Sequence, residues 1–152
     1  MKIKSFLQKF KLAILKCDSV ILYKPLFDEI DYNDPSFPLK LFSNNLVLPD
    51  DKNSDPFKWA TICKSKYKNA NPYILIPGTK FDIYGTRHGK GGGWYDRFLS
   101  KIPKKWFRIG IIHSSKLSTY PILQNEWDQS VDWLIVYDDF VWKVYQTHAR
   151  KK

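Results

Sequence analysis

Hydrophobic positions along the chain alternate between helical stripes and short continuous runs. Over residues 2–16, Ile3, Phe6, Leu7, Phe10 and Ile14 recur at helical spacing with lysines between them, which predicts a first helix packed on the domain. "SVILYKP" (19–25) is an unbroken apolar run closed by Pro25 and reads as a buried strand. "LFDEIDYNDPSFPLKLF" (26–42) mixes acids with prolines, predicting a loop and then a short helix near 38–42. "NLVLP" (45–49) is a second short strand, and "DDKNSD" is a polar turn. "PFKWATI" (56–62) reads as an edge strand, with Pro56 tolerated at its start. A β-type run at 73–76 stops at Pro77-Gly78, and a glycine-rich stretch follows. "WYDRFLSKI" (94–102) then has helical spacing through Trp94, Phe98, Leu99 and Ile102. "FRIGIIHS", "VDWLIVYDD" and "FVWKVYQTH" supply the last strands. Buried strands alternating with helical or irregular segments predict one α/β domain with a largely parallel sheet.

Composition changes this picture in two ways. The 152 residues suit one domain, and Lys+Arg of 25 against Asp+Glu of 15 give a net charge of +10, so the surface favours anions. Nucleic acid, anionic lipid, nucleotides and polyanionic small molecules all satisfy that charge. The two cysteines, Cys17 and Cys63, lack metal-type spacing and read as free buried thiols of a reducing compartment, so a cytoplasmic location is expected. No apolar run reaches the ~18 residues of a membrane span. The basic, amphipathic start has the look of a transit or membrane-surface segment, but its single apolar stripe favours a packed helix.

Five of the seven glycines fall within residues 84–98, "YGTRHGKGGGWYDRF". A strand, Pro-Gly, a glycine-rich loop and a helix make an arrangement in which backbone N–H groups can approach a phosphate. Gly89, Gly91, Gly92 and Gly93 would form the cradle, and Arg87 and Lys90 would supply charge. No Gly-Lys-Ser/Thr closes it, so it is not a P-loop, and the contiguous glycines fit a dinucleotide fingerprint poorly. A flexible basic loop and an RNA-binding loop are the competing readings. Asp96 weighs against both. A carboxylate after a phosphate cradle is unfavourable for the polyanion itself but useful for holding Mg²⁺ on it. Trp94 and Tyr95 offer flat faces to a heteroaromatic ring.

The stretch "RHGKGGGWYDR" (87–97) resembles the Arg-Leu-Gly-Tyr-Gly-Gly-Gly-Tyr-Tyr-Asp-Arg signature of the 5-formyltetrahydrofolate cyclo-ligase family, also called methenyltetrahydrofolate synthetases. "VILYKPLFDEID", "NLVLP", "ILIPGTKFD", "FRIGII" and "EWDQSVDWLIV" follow the family pattern in order, so the resemblance spans roughly residues 18–138. It implies a single three-layer α/β/α, Rossmann-like domain with a mainly parallel sheet. It also implies ATP- and Mg²⁺-dependent cyclisation of 5-formyltetrahydrofolate to 5,10-methenyltetrahydrofolate through a phosphorylated formyl group. The substrate is a small folate, polyglutamylated in some forms; the expected protein is a monomer with no membrane association and no specific nucleic acid.

Carried over by position, the resemblance gives Arg87, Lys90 and Tyr95 catalytic roles. Arg87, Gly89, Lys90, Gly91, Gly92, Gly93, Trp94 and Tyr95 would hold ATP, and Asp96 and Asp128 would hold Mg²⁺. Leu26, Glu29, Asp31, Trp94 and Tyr95 would meet the folate. Three positions depart from the pattern. Residues 1–18 carry no Lys-x-x-Leu-Arg motif, only cations such as Lys2, Lys4, Lys9 and Lys11; Lys116 replaces a Gln; and Trp127 replaces a His. A second reading therefore stays open: a cyclo-ligase-like nucleotide- or RNA-binding protein without ligase turnover. His113 and His148 have no ligand spacing and are expected to be non-catalytic, and the "THARKK" tail is expected to be solvated.

Overall fold

Each of the four inner strands of the sheet is buried on both faces, and the two sets of alternating side chains feed two separate cores. The computed structural model describes residues 2–49, 53–89 and 93–148, with side chains from residue 8 onward. The sheet comprises β1 (Ser19–Tyr23), β2 (Asn45–Leu48), β3 (Pro72–Pro77), β6 (Phe107–His113), β8 (Trp133–Asp138) and β9 (Val141–Gln146). Its order is β2-β1-β3-β6-β8-β9. All neighbours run parallel except β9, which pairs antiparallel with β8. Ile21, Ile74, Ile76, Leu134 and Val136 point to one core, and Val20, Leu22, Tyr73, Leu75, Ile109 and Ile135 to the other.

Two helices, α2 (Pro56–Lys66) and α3 (Trp94–Ser100), cover the first face through Ala60, Cys63, Phe98 and Leu99. The opposite face is covered by α1 (Lys2–Leu15), through Phe10, and by the irregular segment 24–44, through Tyr32 and Leu39. The three layers are therefore present, but half of one layer is irregular chain. A small second sheet, β4 (Lys80–Asp82), β5 (Arg87–His88) and β7 (Leu117–Ser118), stands above the first. It is joined to the core by Phe81, whose ring occupies the space beside Gly110: a Cβ there would lie 2.7 Å from Phe81 Cζ.

Two expectations are corrected. Residues 56–62 form the start of α2, not an edge strand. Asp55 is the reason: its carboxylate accepts the Phe57 N–H at 2.9 Å, and Pro56 stands at the first helical turn, where its missing N–H costs nothing. The segment 38–42 is not helical. It runs irregularly over the sheet, burying Leu39 while the Lys40 carbonyl accepts the Tyr73 hydroxyl at 2.5 Å. Pro38 and the long-range bond to Tyr73 outweigh the short apolar spacing on which a helix was expected.

Chain direction sets the place for ligands. From β1 the chain moves outward to β2, whereas from β3 it moves the other way to β6. The crevice above the carboxyl ends of β1 and β3 is thus a topological switch point, where open α/β sheets bind ligands.

Candidate active site

A cavity of about 580 Å³ opens at that switch point. Tyr23 at the end of β1, Pro49 just after β2 and Pro77 at the end of β3 form its floor. Arg87, Gly89, Gly93, Trp94, Tyr95 and Asp96 line one wall, and Ile122, Leu123, Trp127 and Asp128 another. Leu26 and Glu29 close the third side. The volume falls within the ~300–1,000 Å³ range of small-molecule sites.

The β4–β5 hairpin delivers Arg87. Its tight turn rests on Asp82, whose buried carboxylate accepts the Tyr84 and Thr86 N–H groups at 2.9 Å each. The turn also needs Gly85, at φ +76, where a Cβ would lie 2.4 Å from the Val131 carbonyl oxygen. Arg87 then turns inward: Nε donates to the Pro77 carbonyl at 2.5 Å, and the guanidinium lies over the Tyr95 ring, 4.8 Å from its centroid. Gly89 leaves it the room, since a Cβ at that position would stand 2.7 Å from Arg87 Nη1. Burial pulls the guanidinium below its ordinary pKa, while Tyr95, Asp96 and Glu29 pull it back up. Burial likewise raises the Tyr95 phenol, against the lowering effect of the Arg87 charge.

Helix α3 begins at Gly93, which caps it in the left-handed region at φ 63 and ψ 29. Trp94 is tethered and not a free platform. Its Nε1 donates to the Ser54 carbonyl at 3.1 Å, and its ring stacks on Phe98 at 5.4 Å. Within the first turn of α3, Asp96 faces Asp128, which arrives from the segment before β8. Asp96 Oδ1 accepts the Gln129 N–H at 3.0 Å, and Asp128 Oδ2 accepts the Asn125 N–H at 2.9 Å. Burial pushes the Asp96 carboxyl above the ordinary range; the Gln129 bond opposes the shift and the Asp128 carboxylate adds to it. Two carboxylates converging in a partly desolvated cleft suit a hard divalent cation with oxygen ligands, and with only two protein ligands they suit one that keeps other ligands, as Mg²⁺ does. Among the described residues no group of three or more His, Cys, Asp or Glu side chains could hold a metal.

The acidic loop after β1 is fastened by tyrosines. Tyr23 Oη donates to the Ile30 carbonyl at 2.5 Å, and Tyr32 Oη donates to the Tyr23 carbonyl at 2.6 Å. Glu29 closes a turn on the Leu26 N–H at 2.9 Å and remains on the cavity wall. Asp31 does not reach the cavity: it is exposed and accepts both the backbone and the side-chain N–H of Asn33. Lys90, Gly91 and Gly92 lie outside the described residues. So do the side chains of Lys2 and Lys4, while Lys9 and Lys11 are exposed on α1 and do not line the cavity. Lys116 sits beyond the wall, its Nζ donating to the Asp28 carbonyl at 3.1 Å, and Trp127 stands at the mouth, 63% exposed. Sequence reasoning did not select Lys24, Tyr23, Ile122 or Leu123. The position of Lys24, directly after the carboxyl end of a buried strand, was the available signal.

A family model described as the 5-formyltetrahydrofolate cyclo-ligase family matches residues 58–137, just over half of the chain. The chain belongs to that family. It is 26% identical over 132 residues to the 5-formyltetrahydrofolate cyclo-ligase of Mycoplasma pneumoniae, covering 80% of this chain and 73% of that one. Over 137 residues it is 28% identical to the protein of the same name from Mycoplasma genitalium, covering 88% and 81%. Among solved structures it resembles a 5,10-methenyltetrahydrofolate synthetase from Mycoplasma pneumoniae, with a TM-score of 0.55, 20% identity and coverage of 89% and 81%. It also resembles the Aquifex aeolicus 5,10-methenyltetrahydrofolate synthetase, with a TM-score of 0.58, 20% identity and coverage of 99% and 82%. These structures share its fold. Membership of the cyclo-ligase family makes the chain an enzyme of the ligase class.

Proposed function

We propose that this cyclo-ligase family member converts 5-formyltetrahydrofolate to 5,10-methenyltetrahydrofolate with consumption of ATP and Mg²⁺, through a phosphorylated formyl group. The observation that carries the reading is the convergence of Arg87, Asp96, Asp128 and Glu29 in one cavity at the switch point of the sheet. An amide-type oxygen is a poor leaving group, so the cyclisation needs that oxygen converted to phosphate before it departs. The formyl oxygen bonds to the γ-phosphorus and ADP leaves; the neighbouring folate nitrogen then bonds to the formyl carbon and gives up its proton to solvent, and phosphate departs with the original formyl oxygen.

This chain's residues supply positioning and charge and no covalent nucleophile. Arg87, fixed by Pro77 and Tyr95, holds its guanidinium toward the phosphates. Lys90, Gly89, Gly91, Gly92 and Gly93 complete the proposed cradle, and the tethered Trp94 forms its wall. Asp96 and Asp128 would hold Mg²⁺, which when bound supplies charge neutralisation to the phosphates. Glu29 and Leu26 hold the pterin, whose ring and amino N–H groups are donors that match a carboxylate, with Tyr95 beneath. The exposed Asp31 takes no part in this arrangement. Among the described residues no helix is long and apolar enough to cross a membrane, and a monomer in the reducing cytoplasm completes the proposal.

Isotope transfer tests the phosphorylated step. With ¹⁸O in the formyl group of the substrate, the label should appear in inorganic phosphate. Label released into water instead would rule out phosphorylation of the formyl oxygen.

A further inference from the structure

Arg108 is an arginine in the interior, 5% exposed, whose Nε has no hydrogen-bond partner among the described residues. A buried guanidinium is costly, and an apolar side chain of similar size often serves stability as well or better. Its contacts show what it holds in place. Nη2 donates to the Leu99 carbonyl at 2.9 Å and lies 3.4 Å from that of Ile102, at the carboxyl end of the helix that carries Asp96. Nη1 donates to Gln129 Oε1 at 3.1 Å. Gln129 is the neighbour of Asp128, and its own N–H holds Asp96 Oδ1. The backbone of Arg108 is locked in turn: its N–H donates to Asp132 Oδ2 at 3.1 Å, and its carbonyl accepts the Asp132 N–H at 2.8 Å.

One guanidinium thus grips both segments that bring the two carboxylates together. We infer that Arg108 is a positioning residue of the metal site, acting through Gln129 to fix the spacing of Asp96 and Asp128. This role rests on the assignment of Mg²⁺ to those two aspartates. Lysine cannot replace it, because a single ammonium cannot bridge the helix end and Gln129 with the planar fork of arginine.

The test is a titration of Mn²⁺, a spectroscopic substitute for Mg²⁺, into protein saturated with a non-hydrolysable ATP analogue. Free Mn²⁺ is read by electron paramagnetic resonance. Parent, Asp96→Asn, Arg108→Lys, Gln129→Ala and the double variant are compared, each checked by thermal melting. Gln129→Ala alters a partly exposed side chain, so it tests the same link without removing the buried guanidinium. Groups that orient metal ligands change metal affinity by about 10- to 100-fold, and losses near the lower end are expected for both single variants. The double variant should lose no more than the weaker-binding single, since the two side chains act as one unit. Mg²⁺ half-saturation should rise while KM for the folate stays at the parent value. Mn²⁺ affinities of both single variants within about twofold of the parent overturn the role, as does full additivity of the two losses. Equal Mn²⁺ binding by parent and Asp96→Asn removes the metal assignment itself, and the positioning role falls with it.

Discussion

Gly89→Ala separates the geometry of Arg87 from the stability of the domain. The Gly89 backbone does not lie in the left-handed region, so alanine is conformationally allowed there. Losing a glycine from the unfolded chain should even stabilise the fold, by about 0.4–1 kcal/mol. The new methyl group, however, would stand 2.7 Å from Arg87 Nη1, 2.9 Å from Nη2 and 3.1 Å from Cζ. Unstrained contact needs roughly 3.5 Å, so the guanidinium must retreat by about 0.8 Å. The clashing atoms are the end of a flexible side chain, so it is the arginine that moves and not the backbone. Its contact with the Tyr95 ring, at stake for about 0.5–2 kcal/mol, weakens with the shift. The expected result is a melting temperature equal to or slightly above the parent, with turnover reduced by roughly 10- to 100-fold, as for other misplacements near 1 Å. Steady-state rates and calorimetry with a non-hydrolysable ATP analogue measure both. In an Arg87→Met background, Gly89→Ala should cost nothing further. Turnover within about twofold of the parent, or an undiminished loss in that background, would refute the reasoning.

Gly110→Ala should lower stability by about 1–3 kcal/mol in urea unfolding, because its Cβ meets Phe81 and Leu134 deep in the core; an unchanged midpoint would mean that both side chains yield freely. Gly93→Ala meets no atom within 4 Å among the described residues, so its cost of about 1 kcal/mol should come from the left-handed backbone, and Gly93→Asn should recover part of it. Burial pushes the Cys17 thiol to about 11 and the Cys63 thiol to about 12, from an ordinary value of 9.0. Native protein at neutral pH should therefore resist a thiol reagent that labels both residues in urea. The raised values also fix the sign of the pH effect. Unfolded thiols ionise first, so this contribution to stability is whole below the ordinary value and is lost as pH rises toward 11–12. Rapid stoichiometric labelling of the folded protein would contradict the burial.

The inner strands were legible because burial on both faces leaves a continuous apolar run, as in 19–23, 73–76, 107–113 and 133–138. The glycine motif was legible through the order of its segments, whereas Asp128 stood out only through the family resemblance. What escaped the sequence depended on partners far away in the chain. The Asp55-Pro56 start of α2 was hidden by a β-type composition, although cap and proline together carried the signal. The segment 38–42 holds its irregular path through Tyr73, more than thirty residues away. Asp31 looked equivalent to Glu29 until the local turn on Asn33 occupied it. The small upper sheet could not be foreseen, since strands of two or three residues such as β5 and β7 carry no periodicity.

The proposed activity of this cavity is an ATP-driven cyclisation of a formylated folate. Purified protein mixed with 5-formyltetrahydrofolate, ATP and Mg²⁺ should produce the absorbance rise of the methenyl product. The rise should vanish when ATP or Mg²⁺ is left out, and when Asp96→Asn, folded by its melting curve, replaces the parent. No rise from folded parent protein that binds both ligands would contradict the account, and so would a full rise from Asp96→Asn.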